Sequence, residues 1–237
     1  MGASGLLGEG FQHISKDTKN EFILCYTKNK ILNAEHLDIT KNDAIKSFFK
    51  IHKPDVTINC SAITDLDFCE KNKSHVLDVN ALGAKKLAQV CNVHNSHLIH
   101  ISTDYVFDGF KLKSYNEKDS AYPINVYGKT KLDGENAIMS SMTHDAIIIR
   151  TSWLYSEYGN NFVDTLLKLI QKGNELNIVS DQVGTPTYAN DLGLAILNII
   201  KSDKFNVNKH ESQVYHYSNE GSCSWYDFAQ EVVNILE

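Results

Sequence analysis

Short apolar runs rich in Val, Ile and Thr alternate along the chain with longer stretches whose apolar residues return every three or four positions. That rhythm predicts βα units and a parallel sheet. The expected strands are Phe22–Tyr26, His36–Ile39, Val56–Cys60, His97–Thr103 and Ala146–Thr151, and the expected helices are Leu6–Ser15, Lys41–His52, Ser74–His94 and Asn125–Ser141. In the third helix Val76, Leu77, Asn80, Ala84, Leu87 and Ala88 mark one buried face. Pro54 makes the passage from His52 to Val56 a turn into a strand. Beyond Thr151 the rhythm loosens. It predicts helices near Phe162–Lys172 and Asp191–Ile200, strands near Leu176–Val179 and Val214–Ser218, and a helix from Ser224. The expected fold class is α/β, a Rossmann-like doubly wound parallel sheet over residues 1–151. A small α/β substrate-binding lobe, interleaved with it, covers residues 152–237.

Composition narrows the function. The 237 residues are 42% hydrophobic and 22% charged, enough for a normal core and against disorder. A net charge of -6 argues against nucleic acid as a partner, because phosphate backbones call for a basic surface. The five cysteines at 25, 60, 69, 91 and 223 form no CxxC pair and read as reduced thiols. With no membrane-length apolar run, the expectation is a soluble, cytoplasmic protein without a membrane partner. No clustered ligands suggest a metal, and none of the ten dispersed histidines is read as catalytic.

Gly2-Ala3-Ser4-Gly5-Leu6-Leu7-Gly8 has the spacing that turns a strand into a helix and seats a pyrophosphate on the helix N-terminus. Such a motif needs a strand before it, and only Met1 stands there. The other end stops inside an amphipathic pattern at Leu236-Glu237. The expectation is a piece of a longer protein, cut at both ends and lacking the first, central strand, so that folding and activity of this chain are left open.

Tyr127 and Lys131 stand four apart on a predicted helix and so share a face. An ammonium beside a phenol lowers the phenol's pKa and equips it for proton transfer. YxxxK alone is common on helix surfaces. Upstream, Ile101-Ser102-Thr103-Asp104-Tyr105-Val106-Phe107-Asp108-Gly109 closes an apolar strand, where open α/β sheets bind ligands, although Ser/Thr/Asp turns also end many ordinary strands.

The glycines, the Ser102–Gly109 segment and Pro123…Tyr127…Lys131 together resemble the extended short-chain dehydrogenase/reductases. Arg150-Thr151-Ser152-Trp153-Leu154-Tyr155, Tyr158-Gly159-Asn160-Asn161-Phe162 and Asp181-Gln182-Val183-Gly184-Thr185-Pro186-Thr187 resemble their dTDP-4-dehydrorhamnose reductase branch. The resemblance implies an NADP(H)-dependent reductase of a nucleotide-linked 4-keto-6-deoxysugar, with Thr103, Tyr127 and Lys131 as the catalytic set. It places the cofactor on Gly2, Gly5, Leu6, Leu7, Asp38, Ile39, Cys60, Ser61, Ala62, Tyr127 and Lys131, and the sugar against Thr103, Asp104, Tyr105 and Trp153. Asp38 is equally readable as a helix N-cap, Asn80 as a satisfier of backbone groups, and Tyr105 and Trp153 as core aromatics. The second strand ends in Lys28 and Lys30 with no acid, which favours NADP(H) with NAD(H) left open. Tyr105 follows the Thr-Asp pair where related dehydratases carry Glu, which argues against dehydration. The run Tyr127–Glu135 also resembles the regulatory β subunit of methionine adenosyltransferase, so a non-catalytic dinucleotide-binding subunit is the alternative. The nucleotide sugar is the expected partner; a homodimer is left open.

Overall fold

The computed structural model describes residues 1–15, 18–142, 144–173, 175–202, 205 and 211–236. Its spine is a four-stranded parallel sheet in the order β3 (Val56–Asn59), β4 (His97–Thr103), β5 (Ala146–Thr151) and β9 (Gln213–His216). Beyond β3 lies a separate parallel pair, β1 (Cys25–Tyr26) with β2 (Glu35–His36). Met1 and Ala3 bridge the two: the Met1 amino group donates to Ile58 O, Cys60 N–H donates to Met1 O, and Ala3 N–H donates to Cys25 O. A groove of about 570 Å³ runs alongside, between Phe22–Cys25 and Asp55–Ile58. Two residues, Met1 and Ala3, make these three ties.

Helices cover both faces, as a sheet with apolar strands requires. On one, α2 (Asn42–His52), α5 (Ala84–His94) and α6 (Val126–Ser141) bury Phe49, Leu87, Ile138 and Met142 against Leu98 and Ile148. On the other, α1 (Leu6–Ile14) and α8 (Ala189–Lys201) bury Leu7, Phe11, Leu192 and Ile196 against Ile99 and Ile149. The predicted Ser74–His94 helix is continuous but not uniform. It runs as α4 (Lys73–Leu77), a π-helical turn over Asp78–Gly83, and α5. A further helix, α3 (Leu66–Lys71), is too short for periodicity to mark; Asp65 caps it by accepting from Phe68 N–H.

The C-terminal part holds two small pairs, β6 (Leu154–Tyr155) with β8 (Thr187–Tyr188) and β7 (Val183–Gly184) with β10 (Cys223–Ser224). Helices α7 (Phe162–Gln171) and α9 (Trp225–Leu236) pack there. The strand expected at Leu176–Val179 is absent: the segment lines a cavity of about 450 Å³ beside α7, and Val179 O accepts from Tyr226 N–H outside any ladder. Among the described residues, no helix is long and apolar enough to cross a membrane.

Candidate active site

The β4 ladder, paired on both sides, carries its C-terminal residues to a fixed position. Alternation along the strand sends Ser102 and Thr103 to opposite faces. Ser102 donates to buried Glu135, whose carboxylate also binds Arg150 of β5, with Nη2 to Oε2 at 2.7 Å. Thr103 Oγ1 instead donates to Asp104 Oδ1 at 3.1 Å and accepts from Tyr105 N–H at 3.2 Å, folding the chain into a single 3-10 turn over Asp104–Val106.

Helix α6 starts where Asn125 caps it, its side chain accepting from Gly128 N–H at 2.7 Å. Gly128 is pressed onto the 3-10 turn so closely that a Cβ there would lie 2.0 Å from Tyr105 O. That approach brings Tyr127 to Thr103, whose hydroxyl favours ionisation of the phenol, and sets the Tyr127 and Tyr105 rings edge to face at 5.6 Å. The catalytic threonine and tyrosine of the sequence reading, together with Asp104 and Tyr105, thus form one cluster.

Electrostatics correct one expectation. Burial pushes the Tyr127 phenol well above the ordinary tyrosine value, and Asp104 pushes in the same direction; Lys131 is not among the groups that lower it. The reason is geometric. Lys131 is fully buried, with Nζ donating to Ile101 O at 2.7 Å and lying 3.2 Å from His100 Nε2. Burial drops its pKa to about 8. Asp104 is raised by burial to about 6.

The cofactor residues fall at the adjoining strand ends. Gly2 has φ of +74° and passes so near the Cys60–Ser61 peptide that a Cβ would lie 2.9 Å from Ser61 N. Ser61 N–H is held by Asn59 Oδ1, and Ala62 follows, partly buried. Gly5 begins α1 without a side-chain cap, so the first-turn amides, Leu6 and Leu7 among them, face outward. The Leu7 side chain itself is core. Thr27 Oγ1 donates to Leu37 O, tying the residue after β1 to the residue after β2; Lys28 is exposed and Asp38 half-buried. Asp38 is not an N-cap. Burial would raise its carboxyl, but donation from Thr40 N–H and Oγ1 outweighs this and holds it below the ordinary range; Lys41 occupies the cap position of α2. Ile39 is a core side chain against Gly83.

Two further residues separate from the cluster. Asn80 is locked to the main chain of Ile63 and to Thr130, the backbone-satisfying role. Trp153, at φ of +46°, stacks on Trp225 with ring centres 3.5 Å apart and lies against Gly184 in the C-terminal aromatic group. Sequence reasoning missed His100 and the Glu135–Arg150 pair, since a lone polar residue in an apolar strand carries no pattern. Among the described residues no cluster of metal-ligating side chains occurs.

Known proteins resemble the chain along nearly its whole length. The RmlD substrate binding domain family profile matches residues 1–237. A dTDP-4-dehydrorhamnose reductase of Aggregatibacter actinomycetemcomitans is 39% identical over 229 residues, 96% of this chain and 75% of that protein. A dTDP-4-keto-6-deoxy-D-glucose reductase of Streptomyces niveus is 34% identical, covering 99% of this chain and 77% of its own length. The crystal structure of Bacillus anthracis dTDP-4-dehydrorhamnose reductase, in complex with NADP, superposes with a TM-score of 0.84 at 35% identity, over 99% of this chain and 79% of that one. With a profile match along its whole length and relatives of this closeness, the chain belongs to the RmlD substrate binding domain family.

Proposed function

We propose that the chain is an NADP(H)-dependent reductase of a nucleotide-linked 4-keto-6-deoxysugar, converting dTDP-4-dehydrorhamnose to dTDP-L-rhamnose. The observation that carries this reading is the Thr103–Tyr127 pair at the carboxyl end of β4, in a chain that also has a glycine turn at the start of α1. The uncapped first turn of α1 offers amides to a pyrophosphate, and Gly2 lets the turn lie on Cys60–Ser61. Lys28, exposed just after β1, suits a 2′-phosphate, which favours NADP(H) while NAD(H) stays open.

The cofactor supplies the hydride. The Thr103 hydroxyl, turned from Asp104 to the substrate, donates a hydrogen bond to the C4 carbonyl, and Tyr127 gives its proton to the same oxygen as the ketone becomes an alcohol. The raised pKa keeps Tyr127 protonated at neutral pH, the form a proton donor needs. Lys131 binds the cofactor ribose. Asp104 and Tyr105 border the sugar, and the 152–237 lobe with Trp153 covers it. The protein works as a soluble enzyme of polysaccharide precursor synthesis. The glutamate that related dehydratases place after Thr-Asp is Tyr105 here, so reduction is favoured over elimination.

The test follows NADPH absorbance with dTDP-6-deoxy-L-lyxo-4-hexulose and identifies the product by mass and sugar stereochemistry. Equimolar NADPH loss and dTDP-L-rhamnose are expected. Tight NADPH binding without turnover of this or another dTDP-4-ketosugar would overturn the reductase reading in favour of a binding subunit.

A further inference from the structure

His100 lies in the middle of an apolar strand with no exposed surface, and the proposed chemistry does not use it. Its two ring nitrogens join Asn59, its register partner on β3, to Lys131 on α6. The proton pattern of this chain follows from hydrogen-bond bookkeeping. Asn59 Oδ1 accepts from Ser61 N–H at 3.1 Å, so the amide nitrogen Nδ2 must face His100 Nδ1, 2.9 Å away. Nδ2 is only a donor, so Nδ1 must accept, and the ring proton then sits on Nε2. That N–H points at Lys131 Nζ. An ammonium has no lone pair to receive it, whereas a neutral amine accepts it and still donates to Ile101 O. Turning the Asn59 amide over would set Nδ2 against Ser61 N–H, donor against donor. One pattern alone satisfies every group.

We propose that His100 is a positioning residue for Lys131, holding the amine inward in its uncharged form, so that Lys131 reaches the ribose only by taking up a proton and leaving the imidazole. The proton comes from solvent, and no other bond changes. This inference rests on the reading of Lys131 as a cofactor-binding residue. The remaining groups facing Lys131 act in the other direction. Glu135 on the same helix, itself bound to Arg150 of β5 and Ser102 of β4, favours the charged form, as does Cys60 after β3. Burial outweighs both, in line with the lowered pKa of Lys131 and the still lower one of His100.

Long-range proton–nitrogen NMR of the wild-type chain reads the His100 tautomer directly, with the resonance assigned by its loss in His100→Gln. The Lys131 13Cε shift, assigned with Lys131→Arg, reads the amine. The expected result is a neutral Nε2–H ring between pH 6 and about 9, and a Lys131 midpoint near 8 that rises by about one unit in His100→Gln. An Nδ1–H tautomer, an imidazolium, or a midpoint unchanged in a folded His100→Gln chain would overturn the proposal. Should that variant not fold, the wild-type tautomer alone decides. The pH dependence of NADPH affinity separates the two readings: a flat profile beside an Nε2–H tautomer faults the role given to Lys131 and leaves the grip of His100 standing.

Discussion

The two sides of β3 are built differently. Toward β4 the sheet is in full register through β5 to β9, and two polar networks cross it: Ser102 and Arg150 on Glu135, Asn59 and Lys131 on His100, while Arg150 Nη1, Thr151 Oγ1 and His216 Nε2 are buried without a hydrogen-bond partner among the described residues. Toward β1 the connections are three main-chain hydrogen bonds through Met1 and Ala3, and two strands of two residues each. The groups assigned to proton transfer sit on the first side, and several assigned to the nucleotide on the second. Chemistry that requires a fixed phenol and hydroxyl is placed where the backbone is over-determined. Holding a dinucleotide asks mainly for amides and a cation near a strand end.

Substitutions sharpen that contrast. The largest stability loss is expected from Glu135→Ala, which leaves Arg150 buried and unpaired at a cost of about 3–5 kcal/mol by urea unfolding, with Glu135→Leu/Arg150→Met recovering most of it. Next comes Gly128→Ala, which drives a methyl into Tyr105 O and should cost about 3 kcal/mol while pushing Tyr127 away from Thr103. Gly5→Ala meets only Gly2 O at 3.5 Å. Its stability should fall by less than about 1 kcal/mol, so an equal loss at the two glycines would break the comparison.

The pH dependence has a definite sign. Lys131 has a folded pKa of about 8, depressed from the ordinary lysine value of 10.5. Its contribution is present above the unfolded value and lost as pH falls through about 8. Between those limits the unfolded chain holds more protons, so stability from this group rises with pH by up to about 1.4 kcal/mol per unit. The raised cysteines and tyrosines act oppositely, so the wild-type curve is compared with Lys131→Met, and the difference between the two should climb from pH 8 to 10. The smallest effect is on the nucleotide side: Lys28→Ala should weaken NADPH several-fold, about 1 kcal/mol, and leave NADH unchanged in a direct binding titration.

Much of this was legible in the sequence. The strands of the β3–β9 sheet and the helices around it follow from periodicity, and Thr103 and Tyr127 from position at a strand end and on the adjoining helix. Three features were not. The strand expected at Leu176–Val179 has the composition of one but no partner edge to pair with. Trp153 was readable as a wall of the sugar site or as a core aromatic, and its ring is stacked on Trp225, 72 residues later, a pairing no local pattern reveals. Lys131 was expected beside the Tyr127 phenol on the strength of i, i+4 spacing. Spacing places both Cα atoms on one face, whereas a four-carbon side chain goes where His100 and Ile101 O offer partners.

The most direct test of the account compares wild type with Tyr127→Phe in a single turnover of bound NADPH with dTDP-6-deoxy-L-lyxo-4-hexulose. Loss of the proton donor should slow hydride transfer by about 10³-fold while the NADPH dissociation constant stays within about two-fold, because the phenol contributes to the transition state and little to cofactor binding. Hydride transfer in the variant at the wild-type rate would contradict the account.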